Sequence, residues 1–568
     1  MVSPVFFDMT GRRRRMVGRL TALVLVLAVI AALLFASTIV AVPAVSPLTF
    51  GHEREQPLPF RTHLAHLRHR FPKGRAFSHT GHTDSIGFYV PWDEQSYDSL
   101  RTHYDQLDWV VAADGYIDRS TGALRVQNDA KLNALIRNQL HRPKFFLMVQ
   151  NVAAGGWFGP EMNAILRDPG SSQRLIDSTI AATRREHWQG AVFDIENIEG
   201  ATLPAYRDFL ARAHKSFHEA GLSLALTVPA GEAVWNLRHF ASAVDTLYLM
   251  DYDQHWQGGE AGPIASQDWF SRQLADARAK VPASKLVIAL GNYGYDWHDS
   301  KADALTVNEA WLEAHDSGTK PVFDPASGNS GFAWEEGNHK HNVWMMDAAT
   351  SWNQLGQLRG VAGVALWRLG SEDPGFWDDL AAWRAGKLPS LTRIASPSGT
   401  DVEGSGEILR IDAQPRGGRR AVSFAPDHSI TSESYGALPT PYVVQRTGAE
   451  NRKNIALTFD DGPDPNYTPK ILSVLEHKHA PATFFIIGEN ALEHPEIVRR
   501  IERDGDEIGN HSYTHPNLAE VSPLGAMLEL NATQRLIEAY TGHSTRLFRA
   551  PYFGDAEPTT ADELGPAA

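Results

Sequence analysis

Asp460 and Asp461 stand side by side in Thr458-Phe459-Asp460-Asp461-Gly462-Pro463, and about fifty residues later His511 and His515 stand four apart in Gly509-Asn510-His511-Ser512-Tyr513-Thr514-His515-Pro516. Hydrolysis of an acetamide needs a Lewis acid to polarise the carbonyl, a water to attack it and a base to take the water's proton. An Asp pair and two imidazoles can supply these parts. Adjacent residues at a strand end point in different directions, so one carboxylate can face a metal and the other its water. Asp plus two His leaves open coordination positions, as a catalytic zinc-type site requires, and lowers the pKa of a bound water to about 7. By themselves, Asp-Asp-Gly-Pro is a turn signal and two histidines four apart mark a solvated helix face. Their joint occurrence after a predicted strand is what points to a site.

A second constellation is Trp188-Gln189-Gly190-Ala191-Val192-Phe193-Asp194-Ile195-Glu196. Asp194 and Glu196 are two apart, so both project to one side of a strand. Two carboxylates so placed can share glycosidic acid work, Glu196 protonating the leaving oxygen and Asp194 controlling its pKa and holding the substrate.

These residues must be positioned by larger elements. At 568 residues the chain is too long for one core, so at least two domains are expected. Between Ile86 and about Trp383, β-rich runs alternate with amphipathic stretches: Ile86–Val90, Trp109–Ala113, Lys144–Gln150, Ala191–Ile195, Leu222–Val228, Thr246–Met250, Leu286–Leu290 and Val361–Trp367. Eight strands with helical crossovers predict an α/β fold, a closed parallel (β/α)8 barrel with its chemistry at the C-terminal strand ends. The interval from Asn292 to about Ser351 exceeds one helix and predicts an inserted α+β subdomain. Residues 388–453 shift to Gly, Ser, Pro and Thr and predict a β-containing connector, with Glu407–Ile411 and Tyr442–Gln445 as extended segments. From Asn454 the strand–helix rhythm resumes: Ile455–Thr458, a helix near Pro469–His477, Thr483–Ile487, a helix near Pro495–Asp504, Glu507–Gly509 and Leu547–Arg549.

The N-terminus sets the expected compartment. Leu20 to Val42 is an almost unbroken apolar run, long enough to cross the roughly 30 Å hydrocarbon layer as a helix. It lacks the polar face of a core helix and exceeds the 7–15 residues usual in a cleaved signal's apolar core. Arg12, Arg13, Arg14, Arg15 and Arg19 precede it, which predicts a single-pass cell-membrane anchor with a cytoplasmic N-terminus and all later domains extracytoplasmic. The expected division is anchor 1–50, linker 51–84, barrel 85–387, connector 388–453 and a last domain 454–568. A formal charge of −14 with no broad basic surface excludes nucleic acid as an expected partner. Cysteine is absent, which excludes disulfides, thiolate ligands and a cysteine nucleophile.

The last domain resembles the polysaccharide deacetylases (carbohydrate esterase family 4). Thr458–Pro463 matches that family's first motif, His511-Ser512-x-x-His515 its second and Arg549-Ala550-Pro551-Tyr552 its third. The resemblance implies Asp460 as general base and Asp461, His511 and His515 as ligands of a divalent metal, zinc expected. It implies Arg549 orienting Asp460, and Tyr552 giving its backbone N–H to the oxyanion. It also implies an Asp/Trp element and a Leu-x-His element carrying the general acid, both falling beyond Ala568. The expectation is therefore an incomplete deacetylase (β/α) barrel whose activity is impaired in the chain as given.

The barrel resembles glycoside hydrolase family 18, the chitinase family, and most closely its peptidoglycan-directed branch. Asp194-x-Glu196 matches the end of the acidic motif, Met250-x-Tyr252-Asp253 the strand-six motif and Trp367 the floor tryptophan. Leu290-Gly291-Asn292-Tyr293-Gly294 is similar to the strand-seven segment. This implies metal-free, substrate-assisted hydrolysis, with the substrate's acetamide attacking the anomeric carbon while Tyr252 and Asp194 position it. The family's fuller acidic motif has Asp where this chain has Gln189 and Val192, which weakens the case for cleavage. Trp235, Trp256, Trp297 and Trp334 are further candidates for stacking on sugar faces. The expected function is hydrolysis of N-acetyl groups on a glucosamine-containing polysaccharide beside a glycosidase or glycan-binding barrel. The alternatives are a non-catalytic scaffold for polysaccharide export and a peptidoglycan remodeller.

Overall fold

The computed structural model describes residues 83–553, apart from 140–142, 154–155, 300, 398, 407, 449–452, 454 and 519–520. The apolar run Leu20–Val42 and most of the expected linker lie outside the described residues. Among the described residues, no helix is long and apolar enough to cross a membrane.

Eight parallel strands close on themselves: β1 Asp84–Tyr89, β2 Trp109–Ile117, β3 Lys144–Gln150, β4 Gly190–Asp194, β5 Ser223–Pro229, β6 Thr246–Met250, β7 Leu286–Gly291 and β8 Gly363–Trp367. Each pairs with its sequence neighbour, and β8 pairs with both β7 and β1 to seal the barrel. All eight predicted strands are present. Their side chains alternate between two cores. In β4 and just after it, Ala191, Phe193 and Ile195 pack outward with the surrounding helices while Val192 joins the barrel interior. Asp194 and Glu196 continue the inward set and emerge at the C-terminal rim.

The helix Leu203–Glu219 shows why the outer layer forms. Pro204 fits the first turn, where its missing N–H costs nothing. Tyr206, Phe209, Leu210, Ala213 and Phe217 recur at helical spacing and are fully buried against the barrel. Each large one contributes about 1.5–3 kcal/mol by leaving water. Gly221, at φ +75°, ends the run in a conformation that favours glycine.

The predicted insertion between β7 and β8 contains the helix Val307–Asp316 and the strands Gly294–His298, Lys301–Leu305, Val322–Asp324, Asn329–Glu336 and His339–Met345. Its sheet has eight strands in all, because Ile430–Ala437, Gly418–Phe424 and Arg393–Ile394 of the segment read as a connector continue it beyond Val322–Asp324. The junction is a buried ion network. Arg420 donates to Asp373 and, at 3.1 Å, to Glu433, and all three side chains are 0 % exposed. Asp373 belongs to the loop after β8, so much of the segment is welded to the barrel. The remaining strands, Thr400–Gly404, Ile408–Ala413 and Tyr442–Thr447, make a separate small sheet.

Beyond it, β9 Thr458–Gly462, β10 Thr483–Ile486 and β11 Glu507–Asn510 form a parallel sheet in that order. Four helices, Thr468–Lys478, Gly488–Glu493, Pro495–Arg503 and Pro523–Thr541, contribute to its apolar core. Two local expectations are corrected. Ile455 is 87 % exposed and outside the ladder, because β9 starts at Thr458. Asp460 and Asp461 thus lie within the strand rather than after it.

Candidate active sites

At the barrel mouth, Asp194 is buried and both its oxygens are held: Thr227 Oγ1 donates to Oδ1 at 2.6 Å and Gln150 Nε2 to Oδ2 at 2.9 Å. Gln150 ends β3, and Thr227 occupies the inward register of β5. Burial raises the Asp194 pKa even against these two donors. Glu196 is fixed through its backbone: its N–H donates to Asn151 Oδ1 at 2.8 Å, and Asn151 Nδ2 donates to its carbonyl at 2.9 Å. Burial first, then the charges of Asp194, Asp253 and Glu232, push the Glu196 carboxyl well above the usual carboxylate range. It therefore keeps its proton to higher pH than an ordinary glutamate, as a general acid must.

Opposite stand the strand-six residues. Asp253, at φ +64°, accepts from Tyr293 Oη at 2.5 Å and Tyr295 Oη at 3.1 Å. Tyr252 is buried and meets the Tyr293 ring edge-on at 6.0 Å. Trp367 ends β8 and packs edge-on to Phe88 at 5.3 Å. The predicted set thus converges on one rim, with Val192 0 % exposed below it as part of an apolar interior. Gln150, Asn151, Thr227 and Tyr295 were missed, and Tyr293 was read only as part of the strand-seven segment. Gln150 and Thr227 were findable, because Gln150 ends its strand as Asp194 does and Thr227 sits on the inward register of β5 near its C-terminal end. Of the other tryptophans, Trp235 and Trp297 are core, Trp334 stacks on His341 at 4.0 Å, and Trp256 is exposed.

The second site is built by a β-bulge. Between Phe459↔Phe484 and Gly462↔Ile486, three steps along β9 face two along β10, and Asp461 takes φ +64°. The extra residue breaks the alternation and re-aims the carboxylates. Asp461 Oδ1 lies 3.3 Å from His511 Nε2 and 3.1 Å from His515 Nε2. His511 Nδ1 is 2.8 Å from the Arg549 carbonyl oxygen, a contact that places the proton on Nδ1 and leaves Nε2 free as a ligand. The two histidines lie on a loop after β11, not on a helix. Glu529 secures that loop, accepting from the Tyr513 and Thr514 N–H groups at 2.8 and 2.7 Å; nothing local in the sequence marked it. Asp460 is held by Arg549 Nη1 at 2.8 Å, which also bonds Thr458 Oγ1, while its guanidinium covers Phe485 at 4.2 Å. Tyr552, at φ +62°, lies beside His515 with ring centres 5.0 Å apart. One carboxylate oxygen and two imidazole nitrogens on one corner, with a backbone carbonyl behind one ring, fit a divalent metal.

A closed parallel barrel with an acidic pair at its rim, followed by an Asp-His-His cluster, defines a chain that joins two hydrolase modules. Residues 84–373, just over half of the chain, match the family model of the glycosyl hydrolases family 18, and residues 447–565 match that of polysaccharide deacetylase. The chain belongs to glycosyl hydrolase family 18 and carries a polysaccharide deacetylase module behind that barrel. Over 307 residues it is 24% identical to an uncharacterized glycosylase, YvbX, of Bacillus subtilis, covering 51% of this chain and 88% of that protein. Over 111 residues it is 43% identical to a peptidoglycan-N-acetylglucosamine deacetylase of Bacillus cereus, covering 20% of this chain and 40% of that protein. The chain thus spans less than half the length of that deacetylase. A chitinase structure from Chromobacterium violaceum aligns with 54% of this chain and 99% of its own at 22% identity and a TM-score of 0.49.

Proposed function

We propose that the chain is an envelope hydrolase that removes N-acetyl groups from an N-acetylglucosamine-containing polysaccharide and cuts the same class of polymer in its barrel. The observation that carries the reading is the convergence of Asp461, His511 and His515 beside the Asp460–Arg549 pair. A divalent ion, zinc in our reading, bound by Asp461, His511 and His515 supplies Lewis-acid polarisation of the acetamide carbonyl and lowers the pKa of water. Asp460, oriented by Arg549, takes the proton of the attacking water, and the Tyr552 backbone N–H donates to the developing oxyanion. In the barrel, Glu196 protonates the glycosidic oxygen. Asp194 orients the substrate's acetamide, with Tyr252, Asp253 and Trp367 lining the cleft. The arginines before Leu20–Val42 support a single-pass anchor with both modules outside the cytoplasm.

Acetate release from N-acetylglucosamine oligomers and peptidoglycan tests the deacetylase reading. Chelation abolishes release and Zn²⁺ restores it, while Asp460→Asn lowers it about 10²- to 10⁴-fold with metal content unchanged. No release on any of these polymers from a metal-loaded chain that carries the whole deacetylase module overturns the reading. A second reading, a barrel that holds glycan without cutting it, is favoured by the apolar Val192 beneath Asp194. Polymer cleavage by the parent that is lost in Glu196→Gln, with binding retained, decides for hydrolysis.

A further inference from the structure

A second His-His-Asp cluster lies at the opposite end of the barrel from Asp194 and Glu196. Asp245 immediately precedes β6, whose far end leads to Tyr252 and Asp253. His214 and His218 are one turn apart near the C-terminus of the helix Leu203–Glu219, a spacing that brings two side chains to one face. The buried stripe through Leu210, Ala213 and Phe217 fixes the helix rotation, so both imidazoles lean over the start of β6.

The polar atoms meet at one point. His214 Nε2 is 3.0 Å and His218 Nε2 2.8 Å from the same oxygen, Asp245 Oδ1, and the ring centres are 4.0 Å apart. The second carboxylate oxygen accepts the Leu224 N–H at 2.9 Å and lies 3.1 Å from His218 Nε2, which anchors the group with Oδ1 shared by both histidines. The Asp245 side chain is 8 % exposed, His214 26 % and His218 50 %. An ion therefore has a way in, and a solvent ligand has room.

We propose that His214, His218 and Asp245 form a structural site for a divalent transition cation of the Zn²⁺ type, pinning the end of this helix to the start of β6. The three ligand atoms lie within 4.8 Å of one another. Tetrahedral coordination with bonds of about 2.0–2.1 Å places ligand atoms about 3.3 Å apart, so each imidazole nitrogen has to move only a few tenths of an ångström from Asp245 Oδ1. Two imidazoles and one carboxylate select zinc, nickel or copper over magnesium or calcium. The Leu224 N–H is the outer partner that orients the carboxylate. The rival arrangement is a metal-free His–Asp–His hydrogen-bonded group.

The test uses the full chain in detergent, with H511A/H515A removing the ligands of the deacetylase cluster. After equilibration with Zn²⁺ and dialysis, elemental analysis is expected to find one zinc per H511A/H515A chain and none once H214A/H218A is added. Zn²⁺ at about 100 times Kd is expected to raise the Tm of the H511A/H515A chain by about 5 °C, and H214A/H218A to abolish the shift. Co²⁺ substitution in the H511A/H515A chain, with its own histidines at 214 and 218, is expected to give strong four- or five-coordinate d–d bands; this readout stands even if the alanines loosen the helix end. No bound zinc, no Zn²⁺-dependent Tm shift and no cobalt bands in the H511A/H515A chain overturn the proposal, as does zinc retained in full by the H214A/H218A addition.

Discussion

Burial and three neighbouring carboxylates raise the pKa of Glu196 well above the usual carboxylate range, and this gives its catalysis a pH signature. Cleavage falls as pH rises through the raised pKa, because the proton to be donated is lost. Asp253→Asn removes one of the charges that raise it, so the alkaline limb of kcat/KM is expected to move to lower pH; an unmoved limb counts against Glu196 as the acid. Asp114, buried in β2, is a stability counterpart. Burial first, then Asp129 and Glu186, raise its pKa to about 7, against about 4 unfolded. The native state holds the proton longer, so its contribution to stability is full below about pH 4 and is lost as pH rises to about 7. Asp114→Asn is expected to flatten the decline in Tm between those values, measured against the parent chain.

At the scale of elements, close backbone contacts set the geometry of the acidic rim. A Cβ on Gly159, the first residue of the helix Gly159–Arg167, would sit 1.6 Å from the Asn197 carbonyl oxygen. Gly159→Ala must therefore push away the loop that carries Glu196. The expected cost is about 1–3 kcal/mol by denaturant unfolding, with cleavage falling more than glycan binding. Nothing in the local sequence announces this contact, because it joins segments about forty residues apart. The alternation in β4 was legible, by contrast: period two with Phe193 outward and Val192 inward dictates where Asp194 and Glu196 go. The bulge in β9 was not. Its extra residue is defined only by the partner strand β10, so the expectation placed the Asp pair after a regular strand.

For the whole molecule, the consequential feature is the buried Arg420. Its partners are Asp373 behind β8 and Glu433 on the adjoining strand, so removing it leaves two buried carboxylates without their counter-charge. Arg420→Leu is expected to cost about 3–5 kcal/mol, read as a lowered urea midpoint of the barrel transition. A fragment 83–447 is then expected to unfold cooperatively and a fragment 83–387 to lack that transition. The Gly, Ser, Pro and Thr content of 388–453 reads as a β-containing connector, because composition reports turns and short strands and not the partner of each strand.

The sequence by itself determined the chemistry on offer: carboxylate and imidazole types, their spacing, the eight-strand rhythm and the faces that period two assigns. These are local properties of the chain, written in neighbouring residues. Only the tertiary structure decided which distant groups complete them. Thr227 and Gln150 hold Asp194, Asn151 clasps Glu196, Glu529 secures the His511–His515 loop, and Asp245 joins two histidines from another element. Such pairings depend on register and packing between segments far apart in the chain, where hydrogen bonds and burial are settled by three-dimensional proximity.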